Sequence, residues 1–194
     1  MVVACKTWGV PVSDVITPEQ GMGEVESPKQ RAVRTLLWLK LSIAVIALDA
    51  LTKWQAAKQL RLYEAVPVFP HFNLMLARNE GAAFSFLADA GGWQRWLFAG
   101  IAVALTALMV TWIARLKPAQ RWLACALALV IGGALGNLWD RVALGYVVDF
   151  LDFYWGDSHF PAFNIADSAI TVGTVMIIID MLRNPEFDGD KRTW

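Results

Sequence analysis

The chain has 194 residues, enough for one domain with a short appendage. Its residues are 57% hydrophobic and only 18% charged, against the ~25% charge usual in a soluble domain. That balance favours a membrane class, and 17 Lys and Arg against 17 Asp and Glu leave no net basic charge to attract nucleic acid.

Residues 1–32 read as a polar cytoplasmic extension, because Asp14, Glu19, Glu24 and Glu26, interspersed with prolines, interrupt any apolar signal-peptide core. A first span is expected over about 36–57, with Lys40 near one end and Asp49 and Lys53 near the other. Residues 62–92 follow as an outer loop, where the alternation of Phe72, Leu74 and Leu76 among β-formers suggests a short strand or two. Gly81, followed by Ala82 and Ala83, would let backbone come close to a ligand. The second span, 96–114, carries no charge over 19 residues, near the ~20 that cross a hydrocarbon core. The third, about 120–139, is equally apolar but runs into Asn137, Asp140 and Arg141. A fourth occupies about 163–182 and begins with Asn164 and Asp167, and residues 184–194 form a cytoplasmic tail. The fold class is therefore membrane all-α, with four transmembrane helices and a small extracytoplasmic β-rich region.

Ten Lys and Arg flank the ends assigned to the cytoplasm, against six on the other side, which puts both termini inside. With that threading, the outer end of the first span brings Asp49 and Lys53. The outer loop brings Asn79 and Gly81, and the third span brings Asn137, Asp140 and Arg141. The next loop brings Asp149, and the fourth span brings Asn164 and Asp167. All converge on one membrane face. Asp49–Lys53 and Asp140–Arg141 read as ordinary interfacial ion pairs. Asp149 and Asp167 have no Lys or Arg at helical spacing and sit in apolar contexts, "YVVDFLDF" and "FNIADSAI". Two carboxyls brought together in low dielectric share a proton, which is the acid–base arrangement of aspartic proteases. Asp152 and Asp157, in the same loop, are expected to be spectators.

Four blocks, "DALTK" (49–53), "RNEGAAFSF" (78–86), "GALGNLWDRVALGYVVDF" (133–150) and "FPAFNIADSAITVG" (160–173), resemble the bacterial lipoprotein signal peptidases, the signal peptidase II family of intramembrane aspartic proteases. The resemblance implies Asp149 and Asp167 as the catalytic dyad, supported by Asn79, Gly81, Asn137, Arg141, Asn164, Asp49 and Lys53. It also implies hydrolysis of a diacylglyceryl-modified prolipoprotein just before its lipid-bearing Cys, at the extracytoplasmic face of the bacterial inner membrane. Membrane lipid is an implied partner, and no metal or organic cofactor is implied; a monomer is expected. His71 and His159 lack metal-ligand spacing and are expected to be bystanders, and Cys5 and Cys125 are not expected to pair.

Two other readings compete. A serine mechanism would use Ser85 or Ser168 with Lys53. A non-enzymatic transporter or ion-pathway subunit would use Asp149 and Asp167 to pass protons or cations, with polar groups spread along the membrane depth. The topology has a direct test. A reporter that works only outside the cytoplasm, fused after Gly156, is expected to be active, and activity of a cytoplasm-only reporter at the same site would overturn the convergence of these residues.

Overall fold

The computed structural model describes residues 26–81 and 91–184. It contains four long helices: α1 (Pro28–Gln59), α2 (Gln94–Arg115), α3 (Arg121–Ala143) and α4 (Ile165–Arg183). Each is long and apolar enough to cross a membrane. The first begins at Pro28 rather than near 36. Ser27 Oγ accepts from the Gln30 N–H at 3.3 Å while Gln30 Oε1 accepts from the Ser27 N–H at 2.8 Å, and Pro28 stands in the first turn. Such a reciprocal cap satisfies two orphan donors, and proline is preorganised for a first helical position. Residues 28–32, read from sequence as part of a polar extension, are therefore helix. The remainder of that extension up to residue 25, and the tail from 185 onward, lie outside the described residues.

The spans differ in what they bury. α3 packs against each of the other three helices, and its own surface is mostly covered, whereas α1, α2 and α4 expose rows of large apolar side chains. Leu36, Ile43, Ile101, Leu108, Val172 and Ile178 are all about half exposed or more and face the hydrocarbon. Helices in lipid gain little from burying more apolar surface, so close approach of small residues and polar contacts must hold them together. Gly132 leaves room for Val45 and the Ser42 carbonyl of α1, and Ser42 Oγ donates to the Ala128 carbonyl at 2.7 Å. A Cβ at Gly133 would collide with the Ala166 carbonyl of α4, and one at Gly173 would lie 2.6 Å from the Ala126 carbonyl. The run Gly132, Gly133, Ala134, Gly136 thus serves the close helix contact that its small residues suggest.

A four-stranded antiparallel sheet caps one end of the bundle, in the order β1 (Ala65–Phe69), β2 (Phe72–Asn79), β3 (Val147–Trp155), β4 (Ser158–His159). The strands expected within 62–92 are β1 and β2. The sheet also takes β3 and β4 from the connection between α3 and α4, which the sequence reading treated as plain loop. Asp149 pairs opposite Ala77 and Asp152 opposite Asn73, with an irregularity between Leu74 and Ala77 that alters the register. The apolar core of Ile113, Leu116, Leu123, Leu127 and Ile131 lies at the other end, where α2 turns into α3. Polar residues are thereby collected at the sheet end.

Candidate active site

The sheet end is built on one buried ammonium. Lys53 Nζ contacts Asp49 Oδ2 at 2.7 Å, Asp140 Oδ2 at 2.8 Å and Asn137 Oδ1 at 3.0 Å. An ammonium has three donors, and here all three are taken. Each carboxylate reaches further. Asp49 Oδ1 accepts from the Ala166 N–H of α4 at 2.9 Å, and Asp140 Oδ2 accepts from the Val148 N–H of β3 at 3.1 Å. Three helices and a strand are joined by these bonds.

The ion pairs read from sequence divide on this point. Asp49–Lys53 forms as expected. Asp140 pairs with Lys53 and not with Arg141, because consecutive helix residues do not face each other. Arg141 extends away to donate to the Gly81 carbonyl at 3.0 Å and to its own helix at Asn137 O, 3.3 Å. Its guanidinium lies over the Phe98 ring, 5.3 Å from the centroid, and its Nε is buried with no bonding partner among the described residues.

Above the ammonium stand Asp149 and Asp167, each held by asparagines. Asn164 Nδ2 donates to Asp149 Oδ1 at 2.7 Å and Asn79 Nδ2 to Asp149 Oδ2 at 3.2 Å. Asn137 Nδ2 donates to Asp167 Oδ1 at 2.7 Å, and the Asn164 N–H to Asp167 Oδ2 at 3.3 Å. Asn164 is fully buried and occupies the N-cap of α4, where its Oδ1 accepts from the Asp167 N–H at 2.9 Å. It also contacts Asn137 Oδ1 at 3.2 Å. One residue thus donates to both carboxyls, by its side chain to Asp149 and by its backbone to Asp167. Asn79 has a similar double duty, since its Oδ1 accepts from the Gly81 N–H at 3.1 Å.

Among the described residues neither Asp149 nor Asp167 forms a salt bridge. Burial pushes the Asp149 carboxyl up from 3.8 to about 7, the neighbouring Asp167 adds to the push, and the Asn79 and Asn164 amides oppose it. Both carboxyls open onto a groove of about 840 Å³, with Asn79, Asn137 and Arg141 on its polar side and Met75, Phe160, Phe163, Ile170 and Val172 on its apolar side. Asp49, Lys53 and Asn164 do not line the groove; they lie buried behind it.

Sequence reasoning missed three features of this end. Asp140 is a partner of Lys53, a pairing that helical spacing on α3 alone does not reveal. Phe160 to Phe163 form a wall of the groove. Asp152, expected to be a spectator of the chemistry, is fully buried against Asn73 and His159. Asp157 is exposed, as a spectator would be.

A four-helix bundle with a cluster of buried polar groups at one end, under a small sheet, defines a multi-pass membrane protein with a candidate site at that end. The family model described as signal peptidase (SPase) II matches residues 41–183. A lipoprotein signal peptidase of Pseudomonas putida is 55% identical over 151 residues, 77% of this chain and 88% of the relative. One from Pseudomonas aeruginosa is also 55% identical, covering 77% of this chain and 89% of the relative. A solved structure described as a bacterial membrane enzyme, obtained by the in meso method at 2.3 Å, superposes with a TM-score of 0.70 at 32% identity, covering 81% of this chain and 94% of that one. The chain belongs to the signal peptidase II family and is, on that ground, a protease of the bacterial inner membrane.

The buried ammonium gives a stability prediction. Lys53→Met keeps the stem but strands Asp49 and Asp140 in the interior, and losing one partner of a buried ion pair costs about 3–5 kcal/mol. The apparent melting temperature of the detergent-solubilised protein is expected to fall by roughly 10 °C. A change of a degree or two would mean that the network contributes little.

Proposed function

We propose that this chain is an aspartic endopeptidase that removes the signal peptide from diacylglyceryl-modified prolipoproteins, cutting before the lipid-modified Cys. The observation that carries the reading is the pair Asp149 and Asp167, open to one groove, supported by amides and without a bonded cation. The substrate class follows from the family and from relatives described as lipoprotein signal peptidases.

The chemistry needs one proton between two carboxyls. The ionised member takes a proton from water as the oxygen attacks the scissile carbonyl carbon, while the protonated member gives its proton to the carbonyl oxygen. Collapse of the tetrahedral intermediate returns that proton to the carboxylate and expels the amine, which takes the proton drawn from water. The C–N bond is broken, one water is consumed, and the pair is left with its single proton. Burial and the neighbouring Asp167 push the Asp149 carboxyl up to about 7, which favours one retained proton on the pair near neutral pH. The guanidinium of Arg141 and the amide of Asn79 line the groove and are the donors an extended substrate backbone would meet. The apolar wall suits acyl chains and the flanking signal helix. The Lys and Arg distribution supports cytoplasmic termini and a site near the extracytoplasmic face.

The serine alternative has little support. Lys53 has no donor or lone pair free to serve as a base, and Ser168 Oγ donates to the Asn164 carbonyl at 2.9 Å as an early-turn helix residue. Ser85 lies outside the described residues. A transport pathway would need polar groups through the bundle, yet residues 122–135 of α3, the helix at its centre, carry no charge.

Asp149→Asn and Asp167→Asn are each expected to abolish nearly all conversion of a lipidated precursor on a gel, in detergent with chelator present, while the proteins stay folded. The double variant should be little worse than either single, as residues acting as one unit are non-additive. Asp157→Asn is the control and should cleave normally. Wild-type conversion by either dyad variant would sink the mechanism, and loss of wild-type activity in chelator would indicate a metal requirement.

The dyad also sets a pH dependence. Below about 7 Asp149 keeps its proton and the acid is present; above it both carboxyls ionise and the acid is lost. The kcat/KM profile is therefore expected to fall about tenfold per pH unit on the alkaline side of an apparent pKa near 7. A rate that rises through this range would contradict the assignment.

A further inference from the structure

Asp152 is a buried acid that the proposed chemistry does not use. It is fully inaccessible, does not line the groove, and has no Lys or Arg bonded to it among the described residues. Asn73 Nδ2 of β2 donates to its Oδ2 at 2.9 Å. His159 Nδ1 faces both its oxygens, at 2.9 and 3.0 Å. In the tautomer with the proton on Nδ1, His159 is the donor of this bond and the carboxyl oxygens accept. The His159 side chain is half exposed and stacks on Tyr154, ring centroids 5.4 Å apart.

The reason for a carboxylate at this place lies in what His159 holds. β4 has two residues, and only Tyr154↔His159 and Trp155↔Ser158 pair it to β3. A strand that short does not hold itself. Directly after it the chain becomes the wall of the groove, Phe160 to Phe163. Phe160 N–H donates to the Phe153 carbonyl at 2.7 Å, and Phe163 exchanges bonds with Leu151 at 2.9 and 3.1 Å. The next residue is Asn164, which donates to both dyad carboxyls, through its side-chain amide to Asp149 and through its backbone N–H to Asp167.

We propose that Asp152 and His159 are a positioning pair: their bond fastens the 160–163 wall to β3 and thereby sets how tightly the groove grips its substrate. Neither residue touches the reacting atoms. Asp152 is anchored from β2 by Asn73, so the pair ties the wall to the same sheet that carries Asn79 and Asp149. The inference deepens the peptidase reading and rests on it for its kinetic consequence. The structural half, fastening of the wall, stands independently of that reading.

The test uses the full-length protein in detergent and two variants. His159→Ala removes the bond. His159→Asn keeps an N–H donor near the place of Nδ1 and is the conservative rescue. With the lipidated precursor, His159→Ala is expected to raise KM about tenfold with kcat within about twofold, and His159→Asn to recover KM to within about threefold of wild type. In parallel, hydrogen exchange reads the amides of Phe160 and Phe163, which should exchange at least about tenfold faster in His159→Ala and close to normally in His159→Asn. Unchanged α3 amides verify that each variant is folded. Normal protection of Phe160 and Phe163 in His159→Ala overturns the proposal. An unchanged KM does so as well, and so does a defect equally large in His159→Asn. If the wild-type protein fails to cleave the precursor, the peptidase reading falls and the exchange measurement alone decides the pair.

Discussion

One buried ammonium organises the working end of this protein. Lys53 lies on α1, yet its three donors are spent on Asp49, Asp140 and Asn137, and these partners reach α4 through the Ala166 amide and β3 through the Val148 amide. Burying a charge is costly unless it is paired and its hydrogen bonds are met, and this arrangement meets every one of them. In a bundle whose helices face lipid on three sides, apolar burial does little to choose one helix arrangement over another. The ion cluster and the glycine contacts of α3 supply that choice at the sheet end.

At the same end the two groove-facing carboxyls lack a bonded cation among the described residues. Asp49, Asp140, Asp149 and Asp167 share this end with the cations Lys53, Arg141 and Arg78, the last lying over the Tyr146 ring. Lys53 is committed to the lower two acids, while Arg141 is turned toward Gly81. The upper two are left with neutral amide donors, which orient a carboxylate without cancelling its charge. Amides of this kind fix geometry and leave the charge state to burial and to the neighbouring acid, which is the combination that acid–base chemistry requires.

The helices were legible because the hydrocarbon imposes their length and composition, and charge at their ends showed where polar groups would gather. What stayed hidden was non-local. The start of α1 depended on a cap formed by Ser27 and Gln30, ahead of any apolar signal. β3 was passed over because its acids suggested loop, although Val147, Val148, Phe150, Leu151 and Phe153 are β-formers; pairing with β2 shelters those acids. Asp140 and Arg141 adjoin in sequence and so invited pairing, but a helix turns them apart. Asp152 gave no sign of burial, since its donor Asn73 lies 79 residues away on another strand. The placement of Asp149, Asp167, Asn79, Asn137 and Asn164 at one end followed from threading alone, while which asparagine holds which carboxyl depended on contacts between distant segments.

The cap at the start of α4 has a further implication. Asn164 and Asp167 form a reciprocal capping box, so one of the two carboxyls is also the residue that closes a transmembrane helix. Its separation from Asp149 is not a matter of side-chain rotation alone, because Asn164 is bonded to both. It is tied to the pitch and seating of the helix's first turn. Anything that lifts or twists that turn, whether a bilayer of different thickness, a bulky neighbour or a nearby helix, would retune the pair mechanically. In this protein the membrane is part of the calibration of the site as well as its surroundings.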